Sequence, residues 1–113
     1  MKGVNMDRRV QFLRAGEVND GYQTRPGPHV PYGNPVWASK TPVSDGERFR
    51  AGEVAQDMTD RFVVRYSALT ASITGADRLI CEGVTYGILG RKEIGRREGF
   101  EITAGRVDDN LSA

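Results

Sequence analysis

The stretch TDRFVVRY, residues 59–66, decides the fold of this chain. Its side chains alternate between two faces, with Phe62, Val64 and Tyr66 on one face and Arg61, Val63 and Arg65 on the other. A period of two, in a run rich in aromatic and β-branched residues, predicts a β-strand with one buried face. We therefore expect a sheet whose core contains the Phe62 face.

Other short runs repeat this pattern on both sides of that strand. They are RRVQFLR (8–14), VWASK (36–40), LIC (79–81), TYGIL (85–89) and FEITA (100–104). We expect Val10, Phe12, Phe100 and Ile102 to point inward. Glu82-Gly83 predicts a tight turn that joins two strands into a hairpin.

The order of these runs contains no βαβ unit, so the fold is expected to be mainly all-β. The prediction is a small antiparallel β-barrel of about six strands, because closure removes exposed strand edges. A sandwich is the alternative closure. A length of 113 residues indicates one domain, 1–113. Its predicted divisions are strands at 6–15, 36–41, 57–66 and 78–107, with connections at 16–35 and 42–56.

The two connections have different compositions. Residues 16–35, GEVNDGYQTRPGPHVPYGNP, are rich in Gly, Pro and Asn, and this predicts a long irregular first loop. Its rings, Tyr22, His29 and Tyr32, are expected to pack on the barrel or on a neighbouring chain. Residues 42–56 predict a short helix between the second and third strands, since Ser44 and Glu47 match a capping box.

That helix is expected to be marginal. Phe49 and Val54 are its main apolar residues, and Gly46 and Gly52 each weaken it by about 1 kcal/mol relative to Ala. Its apolar face is too thin to form a core alone. We expect it either to lie on a surface or to be mobile.

Charge and hydropathy exclude several classes of protein. Sixteen Lys and Arg residues balance 15 Asp and Glu residues, so no strongly basic footprint indicates nucleic-acid or membrane binding. The chain lacks an apolar run of the ~18 residues a membrane helix requires, and its start lacks a signal-peptide core. The lone Cys81 fits a reducing compartment. We expect a soluble protein synthesised in the bacterial cytoplasm.

Few residues offer catalytic chemistry, so we expect no enzyme, no metal and no cofactor. His29 and Cys81 are the one possible nucleophile–base pair, and Cys81 on an apolar strand is better explained as a small core residue. The Arg91-Lys92 and Arg96-Arg97 pairs could touch phosphate, but a solvated turn is favoured. Trp37 is either a core or barrel-end anchor or an anchor at a subunit interface.

The order of these features resembles the phage head–tail joining family, also called head closure or stopper proteins, over residues 7–107. The segments that carry the resemblance are the Trp37 strand, PVSDGE (42–47), TDRFVVRY (59–66), DRLI (77–80), EGVTYGI (82–88) and RREGFEI (96–102). Such proteins occur in tailed bacteriophages, prophages and gene transfer agents. The first loop, 16–35, is longer and richer in Pro and Tyr than the family pattern, which implies an added contact to an adaptor or tail protein.

The resemblance implies a structural connector subunit located in the particle at the head–tail junction. Its homo-oligomeric ring, of six or twelve subunits, would sit below the portal and adaptor, close the DNA-filled head and offer a docking surface to a tail terminator or tail tube protein. DNA would pass through the channel without sequence-specific binding. The resemblance also implies that the connection 42–56 reaches the channel and acts as a gate.

These implications give two sets of candidate residues. The channel or gating set is Ser44, Asp45, Glu47, Arg48, Phe49 and Glu53. The set for contacts between subunits or with partners is Tyr22, Tyr32, Trp37, Arg61, Arg65, Arg96 and Arg97. The alternatives are an oligonucleotide-binding type of barrel, for which Phe62, Tyr66 and Tyr86 would have to be exposed, and a tail terminator or minor tail ring protein. A small hydrolase ranks last.

Overall fold

The structure is a computed structural model that describes residues 5–19, 21, 24–44, 46 and 58–107. Its strands are β1 (Arg8–Asn19), β2 (Thr24–Pro31), β3 (Val36–Pro42), β4 (Asp60–Arg65), β5 (Arg78–Cys81), β6 (Val84–Ile94) and β7 (Gly99–Arg106). A one-turn helix, α1 (Ala68–Ala71), follows β4.

Six of these strands close into an antiparallel barrel. Hydrogen-bonded neighbours follow the order β1, β3, β4, β7, β6, β5, and β5 then pairs with β1 to complete the circle. A sheet that closes on itself pairs its own edges, which is the expected solution for a small all-β domain. The prediction of a small antiparallel barrel of about six strands is confirmed.

The barrel interior contains the residues that the alternating pattern predicts. Phe62 and Val64 of β4 are fully buried, and so are Val10 and Phe12 of β1. Phe62 meets the ring of Tyr86 edge to face, with centroids 5.1 Å apart and planes at 71°. The remaining core residues are Ala38, Ile73, Leu79, Cys81, Ile88, Phe100, Ile102 and Ala104.

The first connection differs from the prediction of a long irregular loop over 16–35. β1 continues to Asn19, and β2 returns alongside it from Thr24 to Pro31. β2 pairs only with β1 among the described strands, so it is an edge strand, where a missing proline N–H can be tolerated. Composition alone misled the prediction, because prolines exclude a central strand but permit an edge strand.

β2 and β3 lie on the same edge of β1. Leu13 pairs with Pro31 on β2 and with Arg78 on β5, so β2 and β5 flank β1 on opposite sides. Val10 likewise pairs with Val36 of β3 and with Cys81 of β5. β1 therefore serves two roles: its first half belongs to the barrel wall, and its second half forms a hairpin with β2.

The helix expected within 42–56 requires a correction at its start. Pro42 is the last residue of β3, paired with Asp60, and Val43 is buried just beyond it. Position 45 and positions 47–57 lie outside the described residues, so the remainder of that helix stays a prediction. Gly46, within the predicted segment, is described as helical. A helix with described bounds, α1, starts after Ser67, whose hydroxyl accepts from the Thr70 amide in a capping box.

The strands define two ends of the barrel, which we name by one residue each. The Asp60 end contains Arg8, Pro42, Asp60, Arg106 and the β5–β6 turn. That turn has positive φ at Glu82 (53°) and Gly83 (79°), which confirms the predicted tight hairpin and matches type I′ geometry. The Arg65 end contains Arg65, α1 and the β6–β7 turn at residues 95–98.

Candidate interaction surfaces

Trp37 is displayed on the outer wall of the barrel. Its neighbour Ala38 points inward and is fully buried, whereas Trp37 is 52% exposed, so it is not a core anchor. Trp37 pairs across the ladder with Arg9, whose guanidinium lies 4.6 Å from the centre of the indole ring. This contact fixes the indole against the wall and leaves its other surface open. Arg9 was not singled out by the sequence, because the register between β1 and β3 cannot be read from it.

The other predicted interface residues fall in different places. Tyr32 is half-buried: its ring lies under the Arg14 guanidinium, and its hydroxyl is 2.9 Å from the Ser72 hydroxyl. Arg61 lies on the outer face of β4, with Nε 3.5 Å from a Glu101 carboxylate oxygen. Tyr22 lies outside the described residues. The structure does not bring this set together in one patch.

Arg65, Arg96 and Arg97 do lie together, at the Arg65 end. The cross-strand pair of Arg65 with Gly99 brings the end of β4 beside the turn that contains Arg96 and Arg97. The amide of Tyr66 donates to the carbonyl of Glu98 (3.1 Å), which ties the two segments directly. All three arginines are exposed.

A stack of rings and guanidinium groups supports this end of the barrel. Tyr66 stacks on Phe100, with centroids 5.5 Å apart and planes at 25°. The Arg97 guanidinium lies 6.0 Å from the Tyr66 centroid, and the Arg91 guanidinium lies 4.4 Å from the Phe100 centroid. Arg91 also donates to the Thr70 and Ala71 carbonyls, both at 2.9 Å, at the end of α1 where helix carbonyls lack partners. Arg91 thus joins α1 to β6.

The predicted gating connection begins and ends at the Asp60 end. The amide of Val43 donates to the carbonyl of Thr59 (3.0 Å), one step beyond the last ladder pair of Pro42 with Asp60. These contacts form a neck that holds both flanks of the connection side by side. Of the predicted gating residues, Ser44 is described and exposed. Asp45, Glu47, Arg48, Phe49 and Glu53 lie outside the described residues.

An open pocket adjoins this neck. Arg8, Lys40 and Arg106 line it together with Thr59 and Asp60. Asp60 is 6% exposed, and Glu82 pairs with Arg8 (3.0 Å) and lies 3.9 Å from Lys40. Three cations and the Asp60 carboxylate line the pocket, and the neighbouring Glu82 offsets part of the positive charge by pairing with Arg8.

The geometry gives no nucleophile–base pair from the two residues considered. Cys81 pairs with Val10 and His29 pairs with Ala15, so about five residues of β1, or roughly 16 Å, separate them. Cys81 is buried, and burial raises the pKa of its thiol, which disfavours the thiolate. His29 Nε2 lies 3.2 Å from the Ala76 carbonyl. Neither residue is prepared for catalysis.

The described residues offer neither a metal site nor a helix that could span a membrane. In this part of the chain, no group of three or more His, Cys, Asp or Glu side chains is arranged to hold a metal ion. Within the same ranges, no helix has the length and apolar character needed to cross a bilayer.

The stacking surface required by an oligonucleotide-binding barrel is also missing from the three aromatics considered for it. Phe62 and Tyr86 are fully buried, and Tyr66 is half-buried against Phe100. Bases have no exposed face to stack on at these positions.

The class that the fold defines is a small closed antiparallel β-barrel. The model of the phage head completion protein family matches residues 1–107, and the chain belongs to that family. It is a structural family that acts in joining head and tail, so this chain interacts with other head or tail proteins of a phage particle. Its place is the virion, at the head–tail junction. The predicted resemblance to head–tail joining proteins is confirmed.

A solved structure shares the fold. The chain is similar to protein SF1141 from Shigella flexneri 2a, a solution structure, with a TM-score of 0.70 and 21% identity. The similarity covers 94% of this chain and 96% of that protein. A search of the curated proteins gave no match.

Proposed function

We propose that this chain is a stopper subunit: its copies form a ring below the portal and adaptor, close the DNA-filled head and offer the docking surface for the tail. Membership of the head completion family supports a joining role, and the details of the ring are our inference. The ring would contain six or twelve subunits, in a phage or gene transfer agent particle, and DNA would pass through it without sequence-specific contacts.

The half-exposed Trp37 is the observation that best supports a ring of copies. The barrel closes and fills its core without this side chain, so the indole contributes little to the fold. Trp and Arg are enriched among the residues that dominate binding energy at interfaces, and here Arg9 already holds the indole in place. We assign this pair to the seam between neighbouring copies.

The neck at the Asp60 end supports the gate. We expect a connection that reaches a channel to leave the barrel from well-ordered strands. The Val43–Thr59 hydrogen bond extends the β3–β4 ladder to the residues at which the connection begins and ends. The gating set, with Ser44 at its described edge, remains a proposal on this basis.

Cryo-electron microscopy of the head–tail junction of joined particles tests the function. The proposal expects a ring of six or twelve copies of this chain between the head and the tail, with Trp37 and Arg9 within contact distance of the adjacent copy. A ring located inside the tail would favour a tail terminator or minor tail protein instead. The absence of the chain from the head–tail junction and from the tail would reject both the stopper and the tail-protein position.

A further inference from the structure

We propose that the Arg65 end is a docking face for an acidic protein surface, bound chiefly by Arg65 and Arg96. This inference rests on the proposed function, because it assigns one face of the connector to a neighbouring head or tail protein. It also names the chemistry of that neighbour: carboxylate side chains displayed on a folded surface.

The cations at this end are available for a partner. Arg65, Lys92 and Arg96 are exposed, and within the described residues none of their side chains makes an ion pair or hydrogen bond. Cations elsewhere are engaged within the chain: Arg8 with Glu82, Arg14 with Asp77 and Arg61 with Glu101. Arg106, exposed at the Asp60 end, is the clearest exception. Among the described side chains, cations without an ion pair or hydrogen bond therefore concentrate around the β6–β7 turn.

The backbone under these cations is held firmly. The Tyr66–Phe100 stack and the amide bond from Tyr66 to Glu98 fix the end of β4 against the turn. The Arg91 guanidinium contacts the Phe100 ring of this stack and donates to the Thr70 carbonyl of α1. A face whose backbone is already ordered loses less conformational entropy on binding, and arginine forks match carboxylates in two-point contacts.

A protein surface fits this face better than DNA. The rings beneath the arginines are covered, since Phe100 is 4% exposed and Tyr66 is stacked on it. They offer no stacking platform to bases. Glu93 is exposed among the cations and would repel a phosphate backbone. A protein partner can place a cation opposite that carboxylate and carboxylates opposite the arginines.

The test uses the full chain with the charge of both arginines reversed by the double substitution Arg65→Glu and Arg96→Glu. Producer cells whose own copy is deleted are supplied with this variant, and joined particles are counted by electron microscopy. We expect at least a ten-fold loss of joined particles with an unchanged unfolding midpoint, because neither side chain has a described partner in the fold. Arg65→Lys with Arg96→Lys, which keeps the charge, should retain joining.

Arg106→Glu is the matched control for the single variant Arg96→Glu, since both remove one exposed and unpaired cation, at opposite ends of the barrel. Normal joining by the double reversal would overturn the docking face while leaving the proposed function intact. Normal joining in cells that lack the protein altogether would overturn both.

A titration of the purified chain, followed by the NMR signals of the arginine side chains, separates protein from DNA as the partner. A glutamate-rich peptide should shift the Arg65 and Arg96 signals, and the double reversal should abolish these shifts. Tighter binding of duplex DNA than of the peptide at the same signals, at equal salt, would overturn the proposal in favour of a DNA contact.

Discussion

Arg14 and Asp77 form a two-pronged ion pair at the base of the β1–β2 hairpin. Arg14 donates from Nε and Nη2 to the two carboxylate oxygens of Asp77, each at 2.9 Å. Nη2 also donates to the Ser72 carbonyl, and the guanidinium lies 4.0 Å from the Tyr32 centroid. The carboxylate is 3% exposed, so this clasp ties the hairpin to the loop before β5 at a site shielded from water.

Replacing Asp77 should weaken the fold and loosen the hairpin. Asp77→Ala removes a buried acceptor of bonds from Arg14 and from the Thr74 amide, and we expect a loss of about 1–3 kcal/mol in the free energy of unfolding. Chemical denaturation measures this loss. Amide exchange of the described part of β2 should speed up more than that of β7. Asp7→Ala, at an exposed carboxylate with a 3.8 Å contact, should change stability by less than about 0.5 kcal/mol.

The same ion pair predicts how stability responds to acid. Burial raises the pKa of Asp77, but hydrogen bonds from Arg14 and Thr74 outweigh it and leave that pKa below its usual value. A carboxyl with a lowered folded-state pKa contributes its stability above the unfolded value, near pH 4, and loses it as the pH falls through the folded value.

We therefore expect the free energy of unfolding to fall below about pH 4, and to fall less steeply in Asp77→Asn. Urea unfolding at a series of pH values checks this. Identical slopes for the two proteins would contradict the assignment of the acid sensitivity to Asp77.

The Tyr86 hydroxyl has no hydrogen-bond partner in the part of the chain that the structure describes. The residue is fully buried. Tyr86→Phe keeps the edge-to-face contact with Phe62 and removes the unsatisfied group, so stability should be unchanged or rise by up to about 1 kcal/mol. Tyr86→Ala should cost about 3–5 kcal/mol. A clear loss in Tyr86→Phe would indicate a buried partner such as water.

We expect Trp37 to contribute to assembly and little to folding. Trp37→Ala should leave the thermal unfolding midpoint nearly unchanged, because the side chain lies on the outer wall, while joined particles fall by at least ten-fold. Calorimetry and particle counts measure the two effects. Leu89→Ala, at an apolar residue that is also 52% exposed, is the control that should leave both quantities intact. A large loss of stability in Trp37→Ala would instead assign the indole to the fold.

The alternating strands could be predicted from sequence because one barrel face is buried. Phe62 and Val64 repeat at a period of two, and Phe100 and Ile102 do the same, so each strand identifies its own inward residues. The β5–β6 turn was predicted as well, because Gly83 favours a tight turn with positive φ, although Glu82 also adopts a positive φ, which Glu rarely does. Residues close together in sequence determine both the strand faces and this turn, so sequence patterns suffice to predict them.

The surfaces depended on long-range register, which local rules do not contain. Trp37 meets Arg9 only because β3 pairs with β1. Arg14 and Asp77 form an ion pair although they lie 63 residues apart in sequence. β2 was missed because its three prolines exclude a central strand, while an edge strand tolerates them. The one-turn helix α1 is too short to show a helical period.

Electron microscopy of particles from producer cells that lack this protein tests the central claim most directly. A connector that closes the head predicts DNA-filled or leaked heads beside free, complete tails, and restoration of joined particles when the protein is supplied. Normally joined particles in its absence would contradict the joining role. Intact head–tail joints with malformed tails would contradict head closure and move the protein into the tail.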